Sequence, residues 1–300
     1  MLQALKYSAH IKWFVDVPAP SHSYPKLSES LIIFLLVIIG LFALWMINSY
    51  MNKSGLNRQI SLSLKNYVQF VTPLIRYLAV LILILNLVNN DLLSPNLAAD
   101  GTIFSSIVFL NFCIIVILLS LGYRIKVAAV LLFFTYISFA INVSIVAALD
   151  HLEYAGMAGY LFLATADKWS LDYKFKKNNS DFDNFPNYAL SFYRVSLGIG
   201  ISILAFSEKL IDLSLSQEFL ANYNWNFLSF MGLTNRNFII MAGIVELLIG
   251  LSLILNWATR LTMLVLLTVM ILTAILLGQG EIIGHLFVVG VVFAIFVNQK

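Results

Sequence analysis

Apolar residues dominate this chain in long runs, and short polar or glycine- and proline-containing stretches separate the runs. A helix that crosses a bilayer needs about 20 mostly apolar residues, because each residue rises about 1.5 Å and lipid cannot bond backbone polar groups. The pattern predicts an all-α polytopic membrane protein with about nine transmembrane helices. The predicted spans are about 31–49, 69–89, 104–121, 126–148, 152–166, 189–207, 238–255, 260–278 and 282–298.

The most informative stretch runs from Gly243 to Met270, where two apolar segments meet at a tight corner of residues 256–260. Because the corner is so short, the two segments are expected to form an antiparallel transmembrane hairpin. One carboxylate, Glu246, lies inside the first segment. An ionisable group at that depth costs at least about 2–3 kcal/mol, so we expect Glu246 to face protein or water and not lipid.

The loops between the predicted spans alternate in charge, with basic residues on one face and mainly acidic residues on the other. Cationic side chains resist translocation, so the basic face is predicted to be cytoplasmic, with the N-terminus outside and the C-terminus cytoplasmic. The basic face carries Lys53, Arg58, Lys65, Arg124, Lys126, Lys168, Lys174, Lys176, Lys177, Arg260 and Lys300.

Composition excludes several classes of protein. The chain is 60% hydrophobic and 11% charged, whereas soluble domains are typically about 45–50% apolar and about 25% charged. The net charge is only +3 and no basic patch is present, so a nucleic-acid partner is not expected. A single cysteine, Cys113, rules out an intrachain disulfide and a two-cysteine relay. No spacing of His, Cys or Asp resembles a metal-ligand set, so neither a metal site nor an intrinsic cofactor is expected.

Polar residues recur at matching positions in two parts of the chain. The arginine that opens each part is followed fifteen residues later by a second charged residue. Four helices return the chain to its starting face, so the match predicts a parallel repeat. The pairs are Arg76 and Arg194, Asp91 and Lys209, Arg124 and Arg260, and His151 and His285.

This repeat divides the chain into four segments. Residues 1–67 form an external N-terminal tail, a lone transmembrane helix and a basic cytoplasmic loop. Residues 68–173 form the first four-helix unit, 174–188 a polar cytoplasmic linker, and 189–300 the second four-helix unit.

Several polar marks of the second unit follow one another in a recognisable order, which resembles the DoxX-like four-helix membrane family. The marks are Arg194 with Gly198 and Ser207-Glu208-Lys209, the Glu246-Leu-Leu-Ile-Gly helix, Arg260, and Gly284-His285-Leu286. The first unit lacks the carboxylate, with Leu110 where Glu246 stands, but keeps a family-like tail at 167–172, DKWSLD. The family is usually a single four-helix unit, so two fused units behind an extra helix depart from its pattern.

The resemblance implies a bacterial-type inner (plasma) membrane protein. Relatives in the family include the membrane subunit of thiosulfate:quinone oxidoreductase and other redox-associated proteins. Our first hypothesis is a membrane, quinone-interacting subunit of a redox system whose electron-carrying centre is on another chain. Quinone is then the candidate ligand. The expected partners are the lipid bilayer, a soluble or membrane redox protein, and further copies of the chain in an oligomer.

Glu246 and His285 are the candidates for handling the proton that accompanies quinone chemistry. By depth, Lys209 is the nearest cation to Glu246 and would tune its charge. At the external face, Glu208, Lys209 and Glu281 would form a polar pocket with His285. The alternative for Glu246 is a purely structural ion pair, and for His285 a satisfied buried histidine.

The remaining candidates are assigned to ligand binding. Arg76 and Arg194 either extend to lipid phosphate from the helix ends or bind a carboxylate or anionic lipid in a bidentate manner. His151, with Asp150 and Glu153, is the first-unit equivalent of the His285 cluster, and it too has the alternative of a satisfied buried histidine.

Residues 210–236 interleave aromatic and polar side chains at the external surface. They are interpreted either as a short amphipathic helix in the interface, with Tyr223, Trp225 and Phe227 as headgroup anchors, or as a lid over a lipid-soluble ligand.

Two other function classes stay open, and whether the chain is an enzyme is left undecided. A non-catalytic scaffold or anchor for partner proteins or lipid would use the same polar residues to fix helix register. A small-solute transporter suits the duplication but not the absence of paired, Gly/Pro-broken helices expected at such sites.

Overall fold

The computed structural model describes residues 22–93, 97–164, 166–175, 187–277 and 279–298. Helices account for nearly all of them, and the only β-type pairing in this part of the chain is an isolated bridge between Asp91 and Ala98. The α-helices are α1 Leu27–Lys53, α2 Leu56–Ser63, α3 Val71–Asn89, α4 Ile103–Leu121, α5 Ile125–Asn142, α6 Ile145–Asp150, α7 Leu152–Leu163, α8 Leu171–Phe175, α9 Asn187–Ala205, α10 Ser214–Tyr223, α11 Asn235–Leu255, α12 Thr259–Leu277 and α13 Gln279–Asn298.

Six helical segments are long and apolar enough to cross a membrane: Leu27–Lys53, Lys65–Asn89, Ile103–Leu121, Ile125–Asn142, Tyr188–Ile211 and Asn235–Leu255. Shorter apolar helical stretches cover Thr259–Ile275 and Val288–Asn298. The twelve residues of α7 span only about 18 Å, less than a bilayer core. The all-helical class is therefore confirmed, while the count of nine spans stays a prediction.

Two predicted boundaries differ from the structure. The span predicted at 126–148 is broken, because α5 ends at Asn142 and the Ser144 hydroxyl caps α6 by accepting the Ala147 N–H at 3.2 Å. The segment predicted as a basic loop is helical and comprises α2 and a 3₁₀ helix at Lys65–Phe70. The predictions for 1–21, for most of the linker (176–186) and for Lys300 concern residues outside the described ranges.

The helices alternate between two ends of the bundle, which we name by their turns. The corner end holds the tight turns 122–124 and 256–258, and the cap end holds α10. Contacts connect the predicted units, since α9 packs on both α7 and α11, and α13 packs on both α3 and α12. The largest apolar cluster therefore draws residues from both units.

The two corners share one backbone geometry, which corrects the predicted register of the repeat. Gly122 and Arg124 have φ of 60° and 50°, and Asn256 and Ala258 have φ of 60° and 46°. The residue equivalent to Arg124 is therefore Ala258 and not Arg260. The sequence match placed arginine on arginine and was wrong by two residues.

Candidate ligand-binding site

An ion pair between Lys209 and Glu246 lies midway along α11. Lys209 Nζ donates to both carboxylate oxygens, at 2.5 Å for Oε2. The side chains of Lys209 and Glu246 are 19% and 28% exposed. The pairing predicted from depth is present, and the pair is open on one side.

Two glycines explain how Lys209 reaches Glu246. Gly243 and Gly250 lie three residues before and four after Glu246, so all three share one face of α11. A Cβ at Gly243 would lie 2.8 Å from Lys209 Cβ, and one at Gly250 would lie 2.7 Å from the Gly198 carbonyl oxygen. The backbones of α9 and α11 are therefore in direct contact, as is typical of small residues in membrane helix pairs.

A π-helical turn follows α9 at Phe206–Ile211 and carries both Glu208 and Lys209. Such turns insert one residue into a helix and often occur at functional sites. Here the turn places Lys209 on the α11 side. Glu208 is buried, and its backbone carbonyl accepts the Ser216 hydroxyl from α10 at 2.9 Å.

The first unit has no carboxylate at the position of Glu246. Glu246 lies ten residues before the left-handed corner residue Asn256, and ten residues before Gly122 the first unit has Phe112. Phe112 is fully buried, whereas Leu110, which the sequence match placed there, is 61% exposed. The ion pair is thus a feature of the second unit, and the residue that replaces Glu246 is Phe112.

Arg76 is enclosed at the corner end of the first unit. Its Nε and Nη2 donate to the Asp167 carboxylate at 2.9 and 3.2 Å, and Nη1 donates to the Leu119 carbonyl. The guanidinium has no exposed surface. The interpretation that Arg76 extends to lipid phosphate is therefore wrong, because its guanidinium is enclosed. The carboxylate that it binds belongs to the same chain.

Arg194 makes the equivalent carbonyl contact in the second unit. Its Nη1 donates to Leu253, which precedes Asn256 by three residues, as Leu119 precedes Gly122. Among the described residues no carboxylate bonds to Arg194, and 9% of the residue stays exposed. One edge of the guanidinium therefore has no counterpart of Asp167.

Arg260 binds the segment that sequence reasoning treated as a loop. Its Nη1 donates to the Asn57 carbonyl at 2.6 Å, its Nη2 to Ser61 Oγ at 2.7 Å, and its Nε to the Phe296 carbonyl at 3.2 Å. The Asn48 side chain also accepts the Ala258 N–H at 3.1 Å. Residues of α1 and α2 thus complete the second corner.

The tail of the first unit supplies acids whose roles the sequence did not reveal. The Asp172 carboxylate accepts the N–H groups of Arg124 and Ile125 at 2.8 Å each, which caps α5. Together with the Asp167 pair, this contact fixes the tail across the first corner. The sequence could have indicated the Arg76–Asp167 pair, because a buried arginine requires an anion and Asp167 is the first acid after α7.

His151 lies at the cap end of the first unit and is 3% exposed. Its Nδ1 is 3.0 Å from Glu153 Oε1, and its Nε2 has no partner among the described residues. At the same end of the bundle, burial raises the pKa of Asp91 to about 6. His285 is half-buried on α13, and the side chain of Glu281 lies outside the described residues. The pocket predicted around His285 therefore stays a prediction.

The aromatic segment 210–236 contains the helix α10 and is fastened to the N-terminal segment. Asp212 bonds His22 at 2.6 Å, and Arg236 pairs with Glu29 at 2.7 Å. Trp225 packs inward, edge-on to Phe219 at 5.5 Å. The outermost large side chains are Phe227 and Phe230, at 69% and 83% exposure. Phe227, but not Trp225, thus has the exposure expected of a headgroup anchor.

Comparison with known proteins finds one family. Residues 189–279 match the DoxX family model, which confirms the predicted resemblance over most of the second unit. No curated protein and no solved structure matches the chain. With the six apolar helical segments, the match identifies an integral membrane protein that contacts the lipid bilayer.

Proposed function

We propose that this chain is the membrane subunit of a redox system whose electron-carrying centre is on another chain, and that a quinone headgroup binds at Lys209 and Glu246. The observation that supports this proposal is the half-open ion pair at mid-span depth. A charged pair so placed costs desolvation energy that its own attraction does not always repay. A ligand that binds at the open side would give the pair a role in binding as well as in helix packing.

The chemistry of the pair suits a quinone. Lys209 Nζ has three donors, so it can hold Glu246 and donate to a quinone carbonyl oxygen. Reduction of the quinone to the quinol consumes two electrons and two protons. The electrons come from the electron-carrying centre of the partner protein. Each proton is taken up from water by Glu246 at the open side of the pair and is then transferred to a quinone oxygen. In this scheme His285 serves as a second proton carrier near the cap end.

The first test is co-purification. Wild-type protein is extracted in mild detergent, and its lipid extract is analysed for quinone beside those of Glu246→Gln and Lys209→Met. We expect quinone with the wild type and a loss of at least about tenfold in both variants, because each removes a charge-assisted contact.

Glu29→Gln is the matched control. It removes a carboxylate of similar exposure, 24%, that pairs with Arg236 at the cap end. This variant should keep its quinone. Equal quinone content in the wild type and Glu246→Gln, with both proteins monodisperse, would refute the proposal and leave the pair as a helix clamp.

A second candidate function is a scaffold or anchor for partner proteins, and α1 is the observation that favours it. Only 6% of its apolar window is buried, and it packs mainly on α11 and α2. Gly40 lets α1 approach Leu248 of α11, while most of its other apolar side chains face outward. A partner that co-purifies with the wild type but not after multiple substitutions of this outer face, with no quinone present, would favour the scaffold.

The predicted orientation and location are part of the proposal. The corner end carries Arg58, Lys65, Arg124 and Lys126, so it is assigned to the cytoplasm of a bacterial-type cell. After Cys113→Ser, single cysteines at 124 and 218 can be labelled with an impermeant reagent in intact spheroplasts. Labelling only at 218 is expected, and labelling only at 124 would reverse the orientation.

A further inference from the structure

The two corners carry equivalent arginines in different surroundings. Arg76 and Arg194 each donate to the carbonyl that lies three residues before a left-handed corner residue. In the first unit the other edge of the guanidinium binds Asp167 in a bidentate manner. In the second unit no carboxylate among the described residues occupies that edge, although Arg194 is nine-tenths buried.

A tail like that of the first unit cannot dock on the second corner in the same way. The first tail packs so closely that a Cβ at Gly122 would lie 2.4 Å from Ser170 Cβ and 3.4 Å from Arg76 Cζ. In the second unit Asn256 stands at the position of Gly122, with φ of 60°. Any side chain at this position would collide with a tail packed as Ser170 packs on Gly122, so a tail like that of the first unit cannot approach Arg194 in the same way.

A second orphaned group lies at the same corner. Thr259 opens α12 and is fully buried, and its hydroxyl has no partner among the described residues. The equivalent first-unit residue, Ile125, has its N–H capped by Asp172. Among the described residues no acid bonds the second corner as Asp167 and Asp172 bond the first, and Asn48 accepts the N–H of Ala258, the equivalent of Arg124.

We propose that the open edge of Arg194 binds the phosphate of an anionic phospholipid at the corner end. A phosphodiester presents two oxygens to the guanidinium fork, as Asp167 does to Arg76. Asn256, which is exposed at the same corner, carries an amide donor. This site is separate from the Lys209–Glu246 pair, because it lies at the opposite end of α9 from Lys209.

A lipid fits the surroundings better than a soluble anion. Arg194 lies in the second turn of the membrane-spanning segment Tyr188–Ile211. On the same helix Tyr188 and Phe192 are 63% and 44% exposed, so this end of α9 presents apolar surface to acyl chains.

The experiment measures lipid retention by native mass spectrometry. Delipidated protein is equilibrated with mixed micelles that contain equal amounts of phosphatidylglycerol and phosphatidylcholine. We expect one tightly bound phosphatidylglycerol on the wild type and at least about tenfold weaker retention on Arg194→Gln. Arg58→Gln removes the same charge from an exposed position at the same end and should retain the lipid.

Asn256→Asp tests the site without removing the arginine. Aspartate is nearly isosteric, tolerates the left-handed backbone, and adds at this corner a negative charge that competes with a phosphate for Arg194. This variant should fold, as judged by its elution profile, and lose the lipid by a similar factor. Equal retention by the wild type, Arg194→Gln and Asn256→Asp would overturn the proposal. So would displacement of the lipid by millimolar inorganic phosphate, which would identify a site for free phosphate.

Discussion

The first unit binds Arg76 with its own Asp167, whereas in the second no described carboxylate bonds Arg194, and the pair Lys209–Glu246 stays partly exposed. The same contrast holds between the helices: Phe112 is fully buried where Glu246 stands in the second unit. The first unit is therefore closed by contacts within the chain. In the second unit the charged side chains are less enclosed by partners from the described residues. The functional proposals concern this unit.

The largest effect is expected from opening the first unit. Asp167→Asn leaves the buried Arg76 guanidinium without its counter-charge, which should cost about 3–5 kcal/mol, or roughly 10 °C in melting temperature. Thermal unfolding in detergent, followed by tryptophan fluorescence, measures the change. Lys168→Gln, at the exposed neighbouring residue, is the control and should leave the melting temperature unchanged.

The two units also predict different costs for Arg76→Gln and Arg194→Gln. Arg76→Gln strands the Asp167 carboxylate, while Arg194→Gln removes a bond to one carbonyl. The second substitution should therefore destabilise the fold much less. Equal losses would mean that Arg194 has a counter-charge as strong as Asp167, and the contrast between the units would fail.

A smaller effect tests the close approach of α9 and α11. A methyl group at Gly250 would lie 2.2 Å from Ser202 Oγ and 2.7 Å from the Gly198 carbonyl. Gly250→Ala should therefore destabilise the protein by about 1–3 kcal/mol, because backbone atoms cannot move aside as a flexible side chain can.

Gly200→Ala is the matched control on the facing helix. Its Cβ would meet Leu152 Cβ at 3.6 Å, an ordinary contact, so its melting temperature should stay close to that of the wild type or rise slightly. Equal destabilisation by both substitutions would show that α9 and α11 are sensitive to any added methyl group. The special closeness at Gly250 would then be disproved.

The smallest expected effect is a pH dependence at the cap end of the first unit. Burial raises the pKa of Asp91 to about 6, so the folded state holds this proton more tightly than the unfolded chain. The associated stability is present below pH ~4 and is lost as pH rises through about 6. Asp91→Asn should thus melt about 2–5 °C higher than the wild type at pH 7.5, and this advantage should vanish near pH 4.

Asp100→Asn should behave in the opposite way. Hydrogen bonds from Ser105 and Thr102 lower the pKa of Asp100 to about 2, so its carboxylate form favours the folded state at neutral pH. Removing it should lower the melting temperature at pH 7.5 and matter less as pH falls toward 2. A gain at pH 7.5 from Asp100→Asn would contradict the assignment of these two carboxylates.

The sequence predicted those features that depend on local composition or on depth in the membrane. Long apolar runs located the main helices, and the position of Lys209 one helix before Glu246 was enough to predict their pairing. The all-helical class and the resemblance over 189–279 are confirmed for the same reason, because both rest on residues close together in sequence.

Contacts between distant segments could not be predicted in this way. Arg76 and Asp167 are 91 residues apart, and Arg260 binds Asn57 across 203 residues. The register of the repeat was missed by two residues because arginines were matched by type, while the corner is defined by backbone conformation at Gly122 and Asn256. Apolar helices offer many alternative registers, and only the turn geometry selects one.

Equilibrium binding of a short-chain quinone to the purified protein tests the central claim most directly. The wild type should bind saturably, Glu246→Gln and Lys209→Met should bind at least about tenfold more weakly, and Glu29→Gln should match the wild type. Equal affinity of the wild type and Glu246→Gln, with unchanged melting temperatures, would contradict the claim that the open ion pair binds the headgroup.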